Sequence, residues 1–163
     1  MFYIEVMPPW MMFFDGAARQ EGAGTGVVFI SPQWQVLLYS FSLSKLCSNN
    51  VAKYQALIIG LQMAIEIVIS QLEIFGDSKL IINQILEHYD VKKKDLIPYY
   101  KYVKKWLANF KAITLEHIPR KENRKADALA NLATTLELSQ EVTAKVAISQ
   151  KWVVPFMVEE EEE

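Results

Sequence analysis

Three aspartates in this sequence stand where a carboxylate could do chemistry. Asp15 follows the apolar run Trp10-Met-Met-Phe-Phe, and Asp77 follows the run Leu72-Glu-Ile-Phe-Gly. Both runs are too short for a helix and are typical of buried strands, so each aspartate lies at the carboxyl end of a strand. Asp127 lies near the start of a predicted helix that follows another strand. Because open α/β sheets bind ligands beyond the carboxyl ends of their strands, we expect the three carboxylates at one rim.

A cluster of these three aspartates would repel itself and attract a cation, since no arginine adjoins them in the sequence. Hard oxygen ligands suit Mg²⁺ or Mn²⁺ better than zinc. Metal pairs held by carboxylates promote in-line attack on phosphodiesters. The plainer interpretation is that Asp15 merely begins a turn, and the repeat of the strand–Asp pattern at Asp77 argues against it.

The elements that must position these carboxylates follow the order βββαβααβα. Strands are predicted at 10–15, 26–30, 35–41, 72–76 and 112–117, and helices at 50–69, 78–87, 95–110 and 123–136. Short turns between the first three strands predict an antiparallel meander, and the later strands are joined through helices. The chain is therefore predicted to be an α/β protein with a mixed sheet.

Three glycines, Gly22, Gly24 and Gly26, lie close together before and in the second strand. Their spacing does not match a dinucleotide-binding fingerprint, and a strand follows them where that motif requires a helix. We predict that they are turn and strand-bend residues.

The composition is that of an ordinary globular protein. The 163 residues are 52% hydrophobic and 22% charged, which suits one domain with a proper core. Cys47 is the single cysteine, so neither a disulfide framework nor a thiolate metal cluster is expected. No stretch is long and apolar enough to span a bilayer, and the amino terminus lacks the features of a signal peptide. We expect an intracellular, cytoplasmic monomer without a membrane partner.

We place the domain at residues 10–136. Residues 1–9 end in Pro8-Pro9 and are predicted to be an extended linker. Residues 137–163 carry short apolar pieces without a clear element and end in an acidic tail of five glutamates at 159–163. We interpret them as a carboxyl-terminal extension.

The net charge of −2 conceals basic clusters. Without the five terminal glutamates the chain has 17 basic and 14 acidic residues, a net charge of +3. The clusters are Lys92, Lys93, Lys94, Lys101, Lys104 and Lys105, and then Arg120, Lys121, Arg124 and Lys125. A charge run is usually a solvated face, but two clusters that flank candidate carboxylates indicate a phosphate-binding surface.

Four motifs occur in order along the chain. They are Asp15-Gly16-Ala17 with the later Gly-Ala-Gly-Thr-Gly, Ser48-Asn49-Asn50 through Ala56-Leu57, Phe75-Gly76-Asp77-Ser78, and His117-Ile-Pro-Arg120 through Asn123 to Ala126-Asp127-Ala128-Leu129-Ala130. Together they resemble the ribonuclease H domain of retroelement polyproteins, most closely that of plant gypsy-type retrotransposons, over about residues 10–136. The resemblance implies a ribonuclease H-like fold with a five-stranded mixed sheet flanked by helices. It also implies metal-dependent hydrolysis of the RNA strand of an RNA/DNA hybrid, in association with a reverse transcriptase domain.

The resemblance assigns roles by position. Asp15, Asp77 and Asp127 would bind Mg²⁺ or Mn²⁺, in a two-metal site, and His117 would move a proton or release product. The residues expected to contact nucleic acid are Gly16, Ala17, Asn49, Asn50, Ser78, Lys92, Lys93, Lys94, Arg120 and Asn123. The asparagines would lie in the minor groove, where sugar hydroxyls distinguish RNA from DNA. The plainer roles are a structural histidine, helix capping and turn formation, with Asn123 as the cap of the last helix.

Position 53 departs from the family pattern. The family has a metal-binding Glu three residues after the second Asn, where this chain has Lys53, and Gln55 replaces a commonly acidic residue. A lysine in the first turn opposes the helix dipole, and a capping box that begins at Asn50 would need Glu or Gln there. Two unit charges 4 Å apart interact by roughly 4 kcal/mol at an effective dielectric of 20. We therefore expect Lys53 to weaken metal binding by several powers of ten and to neutralise Asp15 and Asp77 itself.

The leading hypothesis is a ribonuclease H-type endonuclease whose catalysis is impaired. The alternative is a module of the same fold that binds hybrid or duplex without cutting it, with strong salt dependence. A phosphatase with an aspartyl nucleophile at Asp15 would need an acid/base Asp two residues later, where this chain has Ala17. A folded copy without function is the fourth possibility. The Lys53 side chain could also swing into solvent and leave a weak three-aspartate site.

Overall fold

A mixed sheet with helices on both faces forms the frame of the protein. The computed structural model describes residues 7–134 and, as backbone, residues 147–151. The strands are β1 (Trp10–Ala18), β2 (Ala23–Ile30), β3 (Val36–Leu43), β4 (Gln71–Gly76), β5 (Ala112–His117) and β6 (Ala147–Lys151). The helices are α1 (Asn49–Glu66), α2 (Lys79–Ile85), α3 (Ile97–Leu107) and α4 (Arg124–Thr134), and a 3-10 turn (Arg120–Glu122) precedes α4.

The strands are ordered β5-β4-β1-β2-β3-β6 across the sheet. β1, β2 and β3 form the antiparallel meander, while β4 is parallel to β1 and β5 is parallel to β4. These five strands confirm the predicted mixed sheet. Their ends agree less well, because β1 extends to Ala18 and β2 begins at Ala23, whereas the predicted strands ended at 15 and began at 26.

A sixth strand lies at the outer edge of the sheet. β6 is parallel to β3, with Ala147 opposite Tyr39 and Lys151 opposite Leu43. The prediction that residues 137–163 contain no clear element is therefore wrong for 147–151. The segment Ala-Ile-Ser-Gln-Lys has weak strand propensity of its own, so its conformation depends on pairing with β3. The rest of the predicted extension that follows residue 136, and residues 1–6 of the predicted linker, lie outside the described residues.

Most of the core lies between the sheet and α1, α2 and α3. Met12 and Phe14 of β1 and Phe29 of β2 point to this face and meet the buried side of α1. α1 is buried nearly all round, since the sheet covers one side and α3 packs on another. Among the described residues no helix has the length and apolar character needed to cross a membrane. The opposite face holds only a small cluster beneath α4, of Val28, Ala126 and Leu129.

Two glycines of β2 let α4 approach the sheet closely. A Cβ atom at Gly24 would collide with the carbonyl oxygen of Ala130, and one at Gly26 would collide with that of Ala126. Both residues are paired strand residues. The predicted second strand began at Gly26, which is confirmed as strand, whereas Gly24 was predicted to lie before it and that prediction is wrong; Gly22 does lie in the turn. The close approach brings the amino end of α4, and with it Asp127, against the carboxyl end of β1.

Candidate functional site

Lys53 joins two of the three predicted aspartates. Its Nζ lies 2.5 Å from Asp15 Oδ1 and 3.7 Å from Asp77 Oδ1. The side chains are 17% exposed for Lys53, 6% for Asp15 and 3% for Asp77. The parallel register of β1 and β4, with Phe13 opposite Phe75, places the two carboxylates at neighbouring strand ends. The prediction that Asp15 and Asp77 lie together at one rim is confirmed by this contact.

Burial dominates the electrostatics of Asp15. Removal from water raises the pKa of its carboxyl above the usual value, because the charged form loses its hydration. The Lys53 ammonium opposes the rise by attraction and by a hydrogen bond, while the nearby Asp77 carboxylate adds to it. The backbone N–H of Gly16 also donates to Asp15 Oδ1, at 2.8 Å. Lys53 thus compensates part of the cost of burying this carboxylate.

Asn123 holds Asp77 from the other side. Its side-chain Nδ2 donates to Asp77 Oδ2 at 3.0 Å and to the backbone carbonyl of Phe14, also at 3.0 Å. A side-chain cap of α4 would need Oδ1 as the acceptor, and that buried oxygen has no hydrogen-bond partner among the described residues. The backbone carbonyl of Asn123 does accept from Asp127 N. Asn123 therefore occupies the predicted N-cap position of α4, but its side chain positions Asp77 and makes no capping hydrogen bond.

Asp127 lies in a different setting, half-buried on the first turn of α4. Asn131, one turn later, donates from Nδ2 to Asp127 Oδ1 at 3.2 Å and to the Asp127 carbonyl at 2.9 Å. The Oδ1 atom of Asn131 in turn accepts from Arg19 Nη2 at 2.5 Å. Sequence reasoning missed Arg19 and Asn131. The spacing of four residues between Asp127 and Asn131 on a predicted helix was the available signal for one of them.

One cleft of about 450 Å³ lies at the carboxyl end of β1, and Asp77 and Asn123 are outside its lining. Its lining residues are Asp15, Gly16, Ala17, Ala18, Arg19, Asn49, Lys53, Arg120, Asp127 and Asn131. Seven of them were predicted from the sequence, including Arg120 from the loop that precedes α4. The charged side chains of the lining are three cations and two carboxylates, and Asp77, which pairs with Lys53 from outside the lining, brings the two signs to equal numbers.

The start of α1 corrects the capping argument. Ser48 is the N-cap, since its Oγ accepts from Val51 N at 3.2 Å. Val51 is therefore the third helical residue, and a capping box beginning at Asn50 does not exist here. Lys53 lies two residues further along, where its side chain reaches the aspartates. Asn49 instead accepts from Ala18 N through its Oδ1, at 2.9 Å, and ties α1 to the end of β1.

Several predicted residues lie outside the cleft lining. His117 is the last residue of β5, opposite Gly76 in the register, so it is at the same rim but one strand further out. The Ser78 Oγ accepts from Ile81 N at 3.2 Å and caps α2, which agrees with its plainer role. Asn50 is a half-buried residue of α1, and the exposed Lys92, Lys93 and Lys94 lie between α2 and α3.

The site as it stands does not fit a divalent cation. In the part of the chain that the structure describes, no group of three or more His, Cys, Asp and Glu side chains is arranged to hold a metal. The chemistry of the donors gives the reason, because an ammonium already neutralises Asp15 and Asp77 and would repel a second cation. Asp127 is hydrogen-bonded to Asn131 and makes no ion pair with Lys53.

Solved structures share the overall fold of this chain. The RNase H1 of the halophilic archaeon Halobacterium salinarum superposes with a TM-score of 0.74 at 30% identity, covering 81% of this chain and 100% of that one. LC11-RNase H1 in complex with an RNA/DNA hybrid gives a TM-score of 0.70 at 30% identity, covering 80% and 99%. The protease-reverse transcriptase of prototype foamy virus, at 19% identity and a TM-score of 0.62, shares the fold alone. The class of the domain is thus RNase H-like.

Sequence relatives agree. The chain is 32% identical over 123 residues to ribonuclease HI of Halobacterium salinarum, covering 74% of this chain and 62% of that protein. It is 33% identical over 120 residues to a bifunctional protein of Mycobacterium tuberculosis, covering 72% and 33%. The chain therefore spans about a third of the mycobacterial relative. Residues 13–133 match the family described as reverse transcriptase-like, and the chain belongs to that family.

Proposed function

We propose that this chain is an RNase H-type domain that binds RNA/DNA hybrids and whose metal-dependent cleavage of the RNA strand is strongly impaired. The observation that carries the proposal is the contact of Lys53 with both Asp15 and Asp77. In the resemblance, this position holds a metal-binding glutamate. A lysine at this position removes one metal ligand. Its positive charge, next to the remaining carboxylate ligands, repels a metal cation.

Hybrid is the proposed substrate class because of the relatives and the cleft. One RNase H1 that shares the fold is solved with an RNA/DNA hybrid. The cleft offers Gly16, Ala17 and Asn49 near the end of β1, where the resemblance implies contacts with nucleic acid, that of Asn49 in the minor groove. Arg120 adds positive charge at the same cleft. We also propose that a longer duplex contacts residues outside this cleft, namely Asn50, Ser78, Asn123, Lys92, Lys93 and Lys94.

The catalytic roles are proposed for a site whose residue 53 is an acid. Asp15, Asp77 and Asp127 would then bind Mg²⁺ or Mn²⁺, and His117 would assist proton transfer or product release at the neighbouring rim. We propose residues 10–136 as the domain, acting as an intracellular monomer. The proposed context is a gypsy-type retroelement polyprotein, in which a reverse transcriptase domain would be the partner.

The test is cleavage of a labelled RNA/DNA hybrid in Mg²⁺ and in Mn²⁺. We expect the Lys53→Glu variant to cut at least about 100-fold faster than the wild type, since even an outer partner of a metal site contributes 10–100-fold. Lys53→Met is the matched control, because it removes the ammonium without adding a ligand. Asp15→Asn in the Lys53→Glu background should abolish the restored cleavage. Wild-type cleavage as fast as that of Lys53→Glu would overturn the proposal.

The second candidate is a hybrid- or duplex-binding module that does not cut. The buried Lys53 bridge favours it, since this ammonium pairs with Asp15 and Asp77 without a metal and the cleft also presents Arg19 and Arg120. Binding by the wild type that weakens steeply with salt, together with absence of cleavage in both Lys53 variants, would support this candidate over the first.

A further inference from the structure

We propose that the cleft binds a backbone phosphate of nucleic acid directly, through the Arg19 guanidinium, and that this binding needs no divalent ion. Lys53 supplies the positive charge that such an ion would provide. The inference rests on the proposed hybrid-binding function and names how that same site recognises its ligand.

The charge of the lining supports direct phosphate binding. The cations Lys53, Arg19 and Arg120 meet the carboxylates Asp15 and Asp127 in the lining, and the buried Asp77, 3.7 Å from Lys53 Nζ, makes the two signs equal in number. Exchange of Lys53 for glutamate would turn this balance into an excess of two negative charges. A phosphate would then be repelled unless a cation from solution entered the site. In the wild type the Lys53 ammonium offsets part of the negative charge of Asp15 and Asp77.

Arg19 is held in place before any ligand arrives. Its backbone N–H donates to the Gly22 carbonyl at 2.9 Å, which fixes the β1–β2 turn. Its Nη2 donates to Asn131 Oδ1, and Asn131 is itself anchored on the carbonyl of Asp127. A guanidinium fixed in this way loses less entropy when it binds than a free side chain does.

The guanidinium also has donors to spare. It has five N–H groups, and its bond to Asn131 is the one hydrogen bond of this side chain among the described residues. Arg19 is exposed, so the remaining donors can reach a ligand. Paired N–H groups of arginine match the oxygens of a phosphate in a two-point contact. Arg19 is therefore the side chain in the cleft best suited to hold a phosphate.

The experiment measures the affinity of a labelled RNA/DNA hybrid by fluorescence anisotropy, once in EDTA and once in Mg²⁺, at several salt concentrations. The wild type should bind equally in both, within about twofold, because its phosphate contacts do not use the ion. Arg19→Gln should weaken binding about tenfold in both conditions, as expected for loss of a charged hydrogen bond. It should also lower the slope of log affinity against log salt by about 1.

Two further variants isolate the role of Lys53. Lys53→Glu should bind at least about tenfold more weakly than the wild type in EDTA and regain affinity in Mg²⁺. Lys111→Glu is the matched control, since Lys111 is an exposed residue directly before β5, at the opposite rim of the sheet. It makes the same change in charge and should change affinity far less. Thermal melting followed by circular dichroism verifies that each variant is folded, and Arg19→Gln keeps the test valid if Lys53→Glu is not.

Three results would overturn the inference. They are a wild type that requires Mg²⁺ to bind, an Arg19→Gln variant no weaker than Lys111→Glu, and a Lys53→Glu variant, shown to be folded, that binds as well as the wild type in EDTA. Cleavage separates this failure from that of the proposed function. If Lys53→Glu cuts hybrid while wild-type binding depends on Mg²⁺, the proposed function stands and the inference falls. If the wild type binds hybrid without metal but Lys53→Glu does not cut it, the inference stands and the proposed function falls.

Discussion

The three predicted aspartates fall into two groups that share a rim and differ in environment. Asp15 lies near the carboxyl end of β1 and Asp77 directly follows the adjacent β4, and their almost fully buried side chains share one ammonium from Lys53. Asp127 lies on the surface of α4, is half-buried, and is held by the amide of Asn131. Strand ends inside a sheet give carboxylates no access to water, so they need a charged partner. A carboxylate on a helix surface remains hydrated, and a neutral partner suffices.

The largest change in stability is expected when the Lys53 ammonium is removed. Lys53→Met should lower the free energy of unfolding at pH 7 by about 3–5 kcal/mol, because it leaves two buried carboxylates without a counter-charge. Chemical denaturation in urea measures the change. Lys105→Met, an exposed lysine on α3, is the control and should change stability by less than about 0.5 kcal/mol. A Lys53→Met variant as stable as that control would show that the bridge contributes nothing.

The same variant has a predicted pH dependence. Burial holds the pKa of Asp15 above its usual value in the folded protein, so protonation favours the folded state. Without Lys53 the pKa should rise further, and the cost of the variant should be greatest at neutral pH. It should shrink as pH falls through the folded pKa of Asp15, where the carboxyl becomes neutral. Urea denaturation of wild type and variant at pH 7 and at pH 4.5 measures this, and an equal difference at both values would contradict it.

A smaller effect is expected from loss of Asn123, the neutral side chain that hydrogen-bonds to Asp77 of the buried pair. Asn123→Ala removes the hydrogen bonds to Asp77 and to the Phe14 carbonyl, both in a buried setting. We expect a loss of about 1–3 kcal/mol in the free energy of unfolding, the usual cost of leaving buried polar groups unsatisfied. The matched comparison is Asn131→Ala, which removes an asparagine that serves Asp127 in the same way. Equal losses in the two variants would mean that the two environments do not differ.

The smallest effect should come from the helix-surface carboxylate. Asp127→Asn keeps the size of the side chain, and its environment is partly hydrated, so we expect stability within about 0.5 kcal/mol of the wild type. Thermal unfolding followed by circular dichroism is sufficient to detect a larger change. A loss comparable to that of Lys53→Met would place Asp127 in the same electrostatic unit as Asp15 and Asp77.

Local patterns in the sequence predicted much of this arrangement. An apolar run that ends in Asp15 or Asp77 is a local signal, and so is the alternation of strands and helices that sets their order. The same signals failed at Gly24, which was predicted to lie before the second strand and is a paired residue of β2. α4 packs closely on this residue, and the approach of a distant helix leaves no local trace in the sequence.

The missed parts of the site have the same origin. Arg19 and Asn131 are 112 positions apart, and only the fold brings them together. The Asn123 side chain was assigned to its own helix, but it bonds to β1 and to the residue after β4. Lys53 was predicted to neutralise Asp15 and Asp77 because the family that the chain resembles has a glutamate at this position, and lysine carries the opposite charge. That inference used chemistry at one position, and the ion pair it led to is present in the structure.

The Lys53 bridge also has a genetic side. The codons for lysine and glutamate differ in the first base alone. A single transition in codon 53 therefore exchanges an internal counter-ion for a carboxylate and changes the charge of the cleft by two units, without any change in the length of the chain. A single base change thus reverses the charge at position 53, the position with the largest electrostatic influence on this cleft.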